Sequence, residues 1–236
     1  MSTYVYIDGL NFYYGAVKRT PHKWVDFERL VRRLLPQDQI GLIRYFTANV
    51  KPRFPGDRSH ERQAAYLRAI DANPLVEITR GYFRSDVKWR ALAHPKHSSR
   101  DLFKPELLPD FALRWMLGDA VRRRTDPATV ARVVVPEEKG SDVNLATYLM
   151  YDALVNASCT KAVVITNDSD LVEPIKLSAA KIPVGIVNPH QGPTSSLLRA
   201  VASFEIPYRR KMAAQCQLPD PVIGKNGKAI HKPKEW

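Results

Sequence analysis

Tyr4-Val5-Tyr6-Ile7-Asp8-Gly9-Leu10-Asn11 decides how this chain is read. Four β-branched or aromatic residues run straight into an acid and a glycine. An apolar run of that kind, closed by a turn signal, reads as a strand buried on both faces, which is the habit of parallel sheets. In an open α/β sheet, functional groups gather outside the carboxyl ends of the strands. The same pattern returns in Val163-Val164-Ile165-Thr166-Asn167-Asp168-Ser169-Asp170. A third stretch, Lys139-Gly140-Ser141-Asp142-Val143-Asn144, sets an aspartate in the opening turn of a helix, with Ser141 as its expected N-cap.

Working outward, apolar runs at 3–7, 40–48, 75–79, 131–135, 162–166 and 184–188 read as strands. Helical spacing lies between them, at Phe27–Leu35, Ala64–Ile70, Phe111–Val121 and Leu171–Leu177. The best defined helix runs from Asp142 to about Ala157, with Val143, Ala146, Leu149, Met150, Ala153 and Leu154 as its apolar stripe. Strands alternating with helices predict an α/β fold, a mostly parallel central sheet covered on both faces. The expected rim then carries Asp8, Asp142, Asp168 and Asp170 together.

The 236 residues favour one large domain, and a hydrophobic fraction of 44% suffices for a sizeable core. The formal charge of +12 points to a polyanionic or acidic partner. No apolar run approaches the ~20 residues of a membrane span, and Tyr4–Ile7 is too short for a secretory signal. Cys159 and Cys216 make neither a disulfide framework nor a zinc cluster, so a cytoplasmic location is expected.

Two segments look like additions to the core. Residues 80–104 hold seven Lys/Arg against two acids, interleaved with Tyr82, Phe83, Trp89 and Phe103. Basic residues neutralise phosphates and exposed aromatics stack on unpaired bases, so this segment reads as an RNA-contacting arm. The competing reading is a solvated connector with a few anchoring aromatics. The stretch from Tyr208, with Arg209, Arg210, Lys211, Lys225, Lys228, Lys232 and Lys234 among prolines and glycines, reads as an extended, mobile basic tail.

The acids admit two readings. Each alone could cap a helix, an interaction worth ~0.3–1 kcal/mol. Capping needs one carboxylate, however, not a set gathered from several rim positions. Like charges within a few ångströms repel unless a cation compensates them, and Mg²⁺ or Mn²⁺ suits carboxylate oxygens. Gly9 would allow a sharp turn and leave room for a ligand. Asn11 would cap the next helix or orient the aspartate. Glu137, Glu138 and Asp152 read as surface charge.

In their order and spacing the three motifs resemble the NYN domain, a branch of the PIN-like nucleases. That family's pattern is a strand followed by D-G-x-N, then K-G-x-D-V at a helix start, then a strand followed by S/T-x-D-x-D. Tyr45-Phe46-Thr47-Ala48, Arg62-Gln63, Tyr66-Leu67-Arg68 and Gly81-Tyr82-Phe83 are also similar to one bacterial subgroup. The resemblance covers roughly residues 3–205. It implies a PIN-like three-layer α/β/α fold, with a nuclease domain at 1–206, a basic and partly helical insertion at 80–125, and the tail at 207–236. It also implies a metal-dependent endoribonuclease in which Asp8, Asp142, Asp168 and Asp170 bind one or two Mg²⁺ or Mn²⁺ ions. Asn11 and Thr166 would orient the site. Expected RNA contacts are Lys139, Arg84, Lys88, Trp89, Arg90 and Arg100. A homodimer or an inhibitory protein partner fits the pattern, as do toxin, phage-defence and RNA-processing roles. The chain departs from the pattern at Tyr148, where many relatives carry another acid.

Two rivals follow from the same residues. A noncatalytic RNA-binding adaptor would keep the fold without turnover. A phosphohydrolase of the haloacid-dehalogenase type would want another Asp two residues after Asp8, and position 10 is Leu.

Overall fold

A computed structural model describes residues 2–52, 55–91 and 130–236. The predicted helix at 111–121 and Arg100 lie outside these residues.

Seven strands form one sheet in the order β4-β3-β2-β1-β5-β6-β7. They are β1 (Ser2–Asp8), β2 (Ile40–Ala48), β3 (Val76–Ala91), β4 (Val130–Lys139), β5 (Cys159–Ile165), β6 (Val184–Val187) and β7 (Phe204–Glu205). From β3 to β7 every neighbouring pair is parallel. The central strand β1 lies between β2 and β5 with Ile7 opposite both Tyr45 and Ile165. That register brings the tip after Ile7 and the tip after Ile165 to the same level.

Side chains alternate along β1, and the core divides accordingly. Val5 and Ile7 join one apolar cluster; Tyr6 joins another. The first cluster is closed by α1 (Gly9–Phe12), which continues as a π-helical turn at Tyr13–Val17, and by α2 (Phe27–Leu34) and α3 (Ser59–Asp71). Asp26 caps α2 by accepting from the Arg29 N–H, and Phe27, Leu30, Val31 and Leu34 form its buried face. The second cluster is closed by α4 (Ser141–Leu154), α5 (Val172–Ala179) and α6 (Ser196–Val201). The result is the predicted three-layer α/β/α architecture.

In α4 the buried positions are Ser141, Leu145, Leu149, Asp152 and Ala153, whereas Val143 is 68% exposed and Leu154 48%. The stripe expected from the sequence is therefore out of phase at its two ends. Apolar residues occur nearly all round this helix, so packing on the sheet chooses the phase. Its N-cap is Gly140, in the left-handed region at φ 93°, and not Ser141.

Residues 207–236 also depart from expectation. They form α7 (Lys211–Gln215) and a two-stranded antiparallel hairpin of β8 (Val222–Ile223) and β9 (Ala229–Ile230). Gln217 bridges Val25, and the Trp24 indole N–H donates to the Pro219 carbonyl at 3.1 Å. Trp236 packs on the rings of Trp24 and Tyr66, Glu235 pairs with Arg62, and Lys225 pairs with Asp71 at 3.0 Å. Abundant charge suggested a mobile tail, but spaced apolar anchors (Ala213, Cys216, Val222) fasten it to the first core.

The chain divides into two compact units, Met1–Phe83 with Glu138–Trp236, and Arg84–Glu137. The second unit overlaps the insertion expected at 80–125, most of which lies outside the described residues. Among its described residues, Arg84 pairs with Asp86, and Lys88 and Arg90 both pair with Glu137. Among the described residues no helix is long and apolar enough to cross a membrane. Both cysteines are buried free thiols.

Candidate functional site

Asp8 ends β1 and is almost wholly buried, at 5% exposure. It caps α1: one carboxylate oxygen accepts the Asn11 backbone N–H at 3.0 Å. The other accepts the Thr166 hydroxyl at 3.1 Å. The Thr166 oxygen in turn accepts the Asp168 backbone N–H at 3.1 Å, which holds the loop after β5 against Asp8. Asp168 caps the short 3₁₀ turn Ser169–Leu171 by accepting the Asp170 N–H at 3.0 Å. Both strand-end acids thus act as caps, and each keeps lone pairs on its carboxylate oxygens for a further partner.

Asp8, Asp142 and Asp168 each offer an oxygen, and these lie within 4.8 Å of one another. Unit charges at that separation repel by about 3 kcal/mol per pair at an effective dielectric of ~20. The protonation behaviour registers the cost. Burial, then the charges of Asp142 and Asp168, push the Asp8 carboxyl up to about 6, against the pull of the Asn11 and Thr166 hydrogen bonds. Burial and the nearby Glu138, Asp168 and Asp170 also push Asp142 up to about 6. Three carboxylate oxygens gathered this closely are donors of the kind that would suit a small, hard divalent cation, whose charge would offset their repulsion. The all-carboxylate donor set favours Mg²⁺ or Mn²⁺ over softer metals.

Asp170 stands apart from the trio. It is exposed on the 3₁₀ turn and acts on Asp142 through charge. Asn11 holds Asp8 with its backbone, while its side chain works elsewhere. The Asn11 Oδ1 accepts the Asn167 backbone N–H at 3.0 Å and meets His190 Nε2 at 3.0 Å. Because that oxygen can only accept, His190 presents a proton on Nε2. Gly9 meets a different need from ligand access: a Cβ there would lie 2.6 Å from the Phe46 carbonyl and from the Tyr45 ring.

The expectation that Asp152 is surface charge is overturned. Asp152 is fully buried, accepts the Tyr6 hydroxyl at 2.8 Å, and pairs with Arg44 at 2.9 Å. Asn156 donates to it at 3.1 Å. The Arg44 guanidinium also pairs with Glu77 and lies 4.4 Å from the centre of the Tyr148 ring. Tyr148, at the position where an acid was sought, packs against Phe46 and Arg44 instead.

Of the predicted RNA contacts, Lys139 is exposed at the end of β4, and Trp89 is 47% exposed. Arg84, Lys88 and Arg90 already meet acids within their own unit. His190 was missed in the sequence reading. It lies just beyond β6, so the strand-tip rule that found Asp8 and Asp168 would have reached it.

No family model matches this chain. It is 29% identical to 6-hydroxy-3-succinoylpyridine 3-monooxygenase HspA of Pseudomonas putida, over 262 aligned positions spanning all of this chain and 75% of that enzyme. A crystal structure of a Vibrio parahaemolyticus protein of unknown function aligns with 88% of this chain and 93% of that one, at a TM-score of 0.45 and 13% identity.

Proposed function

We propose that this chain is a metal-dependent endoribonuclease of the NYN type. The observation that carries the reading is the meeting of Asp8, Asp142 and Asp168, from three distant parts of the sequence, within 4.8 Å. Asp8, Asp142 and Asp168 would hold a Mg²⁺ or Mn²⁺ ion, which supplies charge neutralisation at the scissile phosphate and lowers the pKa of water. Thr166 and the Asn11 backbone fix the orientation of Asp8, so that its oxygens need no rearrangement during turnover. In the hydrolysis, water adds to phosphorus and the P–O3′ bond breaks, leaving 5′-phosphate and 3′-hydroxyl ends. Asp8 and Asp142 must be ionised to act as ligands, so cleavage is expected to rise with pH through about 6.

The test is RNA cleavage by full-length protein, first stripped with chelator and then supplied with Mg²⁺ or Mn²⁺. Asp8→Asn and Asp168→Asn should each reduce the rate by at least ~100-fold, a loss of about 3 kcal/mol in transition-state stabilisation. Undiminished cleavage in both variants would end this assignment. RNA binding without cleavage under any divalent ion would instead favour the noncatalytic adaptor.

A second reading rests on the similarity, along all of this chain and 75% of the relative, to a monooxygenase. In it the chain oxygenates a hydroxylated pyridine: one atom of O₂ enters the ring and the other leaves as water, using a two-electron reductant such as reduced nicotinamide. Oxygen uptake that depends on both pyridine and reductant would favour it over hydrolysis.

A further inference from the structure

A pocket of about 430 Å³ opens beside the acidic centre, bounded by Gly15, the loop Asn188–Thr194, Arg199, Glu205, the segment Ile206–Tyr208 and Arg210. Two asparagines join the pocket to the centre. Asn11, whose backbone holds Asp8, meets His190 on the pocket wall. Asn167, next to Asp168, donates to the Pro193 carbonyl at 3.3 Å and accepts the Ser195 N–H at 2.8 Å. Asp8 and Gly15 sit seven residues apart on continuous helix, on the order of 10 Å. The loop is braced as well: Asn188 accepts the His190 N–H at 2.8 Å and donates to the Gly192 carbonyl at 2.9 Å.

The charge of this pocket is opposite to that of the centre. Arg199 shares Glu205 with Thr194, at 3.1 and 2.5 Å. Among the described residues Arg210 makes no ion pair, so with Arg199 and Glu205 balanced the lining keeps a net positive charge. A guanidinium is well matched to phosphate oxygens, and the volume suits a nucleotide-sized group.

We propose that this pocket seats a phosphodiester of the RNA strand flanking the scissile bond, with Arg210 as its principal cation and His190 as the wall shared with the acidic centre. The assignment rests on the ribonuclease reading, and its test is separable from cleavage. Full-length protein in chelator is titrated with a short, fluorescent single-stranded oligoribonucleotide. Arg210→Glu should weaken binding by about 10-fold or more, the loss expected for one charge-assisted phosphate contact, and Arg210→Lys should recover most of it. Lys181→Glu, beyond the far end of α5, should change binding less than about twofold. Oligonucleotides with 5′-hydroxyl and 5′-phosphate ends should bind alike, and a strong preference for the phosphate end would overturn the internal phosphodiester in favour of a terminal one. Equal binding by wild type and Arg210→Glu overturns the pocket even if the wild type cleaves RNA. Absence of cleavage with a clear Arg210 effect refutes the hydrolase reading and leaves the pocket standing. Arg210-dependent binding of a hydroxypyridine carboxylate, with RNA binding unaffected, would give the pocket to a small molecule instead.

Discussion

Helix α4 carries two aspartates ten positions apart, Asp142 in its first turn and Asp152 near its end, and the molecule treats them in opposite ways. Asp152 is enclosed by a guanidinium, a phenol and an amide, all donating to it. Asp142 faces four other carboxylates, those of Asp8, Glu138, Asp168 and Asp170. In the first region the fold supplies its own counter-charge. In the second it gathers negative charge, and among the described residues Asp8, Asp142 and Asp168 enter no ion pair. Closing a buried carboxylate with internal donors makes a structural joint, whereas gathering carboxylates without a cation makes a place for one.

The largest effect is expected at Arg44. Arg44→Met leaves Asp152 buried and uncompensated, and should cost about 3–5 kcal/mol in urea denaturation. Adding Asp152→Asn should restore part of that loss, because the remaining charge is removed. An unchanged midpoint in the single variant would show that Asp152 is not held as described.

The next effect has the opposite sign. Asp8 binds its proton more tightly in the folded state than the ordinary 3.8, up to about 6. Its contribution to stability is therefore complete below about pH 4 and is lost as pH rises through about 6. The full swing is on the order of 3 kcal/mol. In chelator, Asp8→Asn should flatten this part of the stability curve and leave the variant more stable than wild type at pH 7. A wild-type curve and a variant curve of the same shape would contradict the proposed charge crowding.

A slightly smaller gain should come from adding Mn²⁺ at neutral pH. At a hundredfold excess over its dissociation constant, an ion that binds only the folded state stabilises by about 2.7 kcal/mol. Thermal melting should show the shift for wild type and for Arg210→Glu, and should lose it for Asp8→Asn and Asp168→Asn. The smallest effect is expected at Tyr148→Ala, which removes the ring beneath Arg44 and should cost on the order of 1 kcal/mol while leaving the Mn²⁺ shift intact.

The acidic region was legible in the sequence because each member follows a local signal: an apolar β-branched run ending in an acid, or a glycine opening a helix. Local signals also located β1 to β6 and the helices α2 to α5, but not the continuation of β3 to Ala91 nor the short strands β7, β8 and β9. The Asp152 joint gave no such signal. Its partners Tyr6 and Arg44 lie 146 and 108 positions away, and a polar residue on a helix reads as solvated until the sheet beneath it is known. The phase of α4 was hidden for a related reason, since Val143, Tyr151 and Leu154 are apolar or aromatic yet exposed. The C-terminal segment misled through composition: its lysines dominate the count, while a few apolar side chains determine where it lies.

That segment also sets an order of events during synthesis. Trp24 and its Pro219 partner are 195 positions apart, so the cover over Trp24 and Tyr66 arrives long after α2 and α3 have left the ribosome. Until then the nascent chain carries an uncovered aromatic flank, the kind of surface that draws chaperones or neighbouring chains. A ribosome stalled shortly before Lys211 would hold a protein with its sheet and acidic rim already encoded but its flank still adhesive. Completion of this fold thus waits on the segment 211–236, synthesised long after the strands that carry the acidic rim.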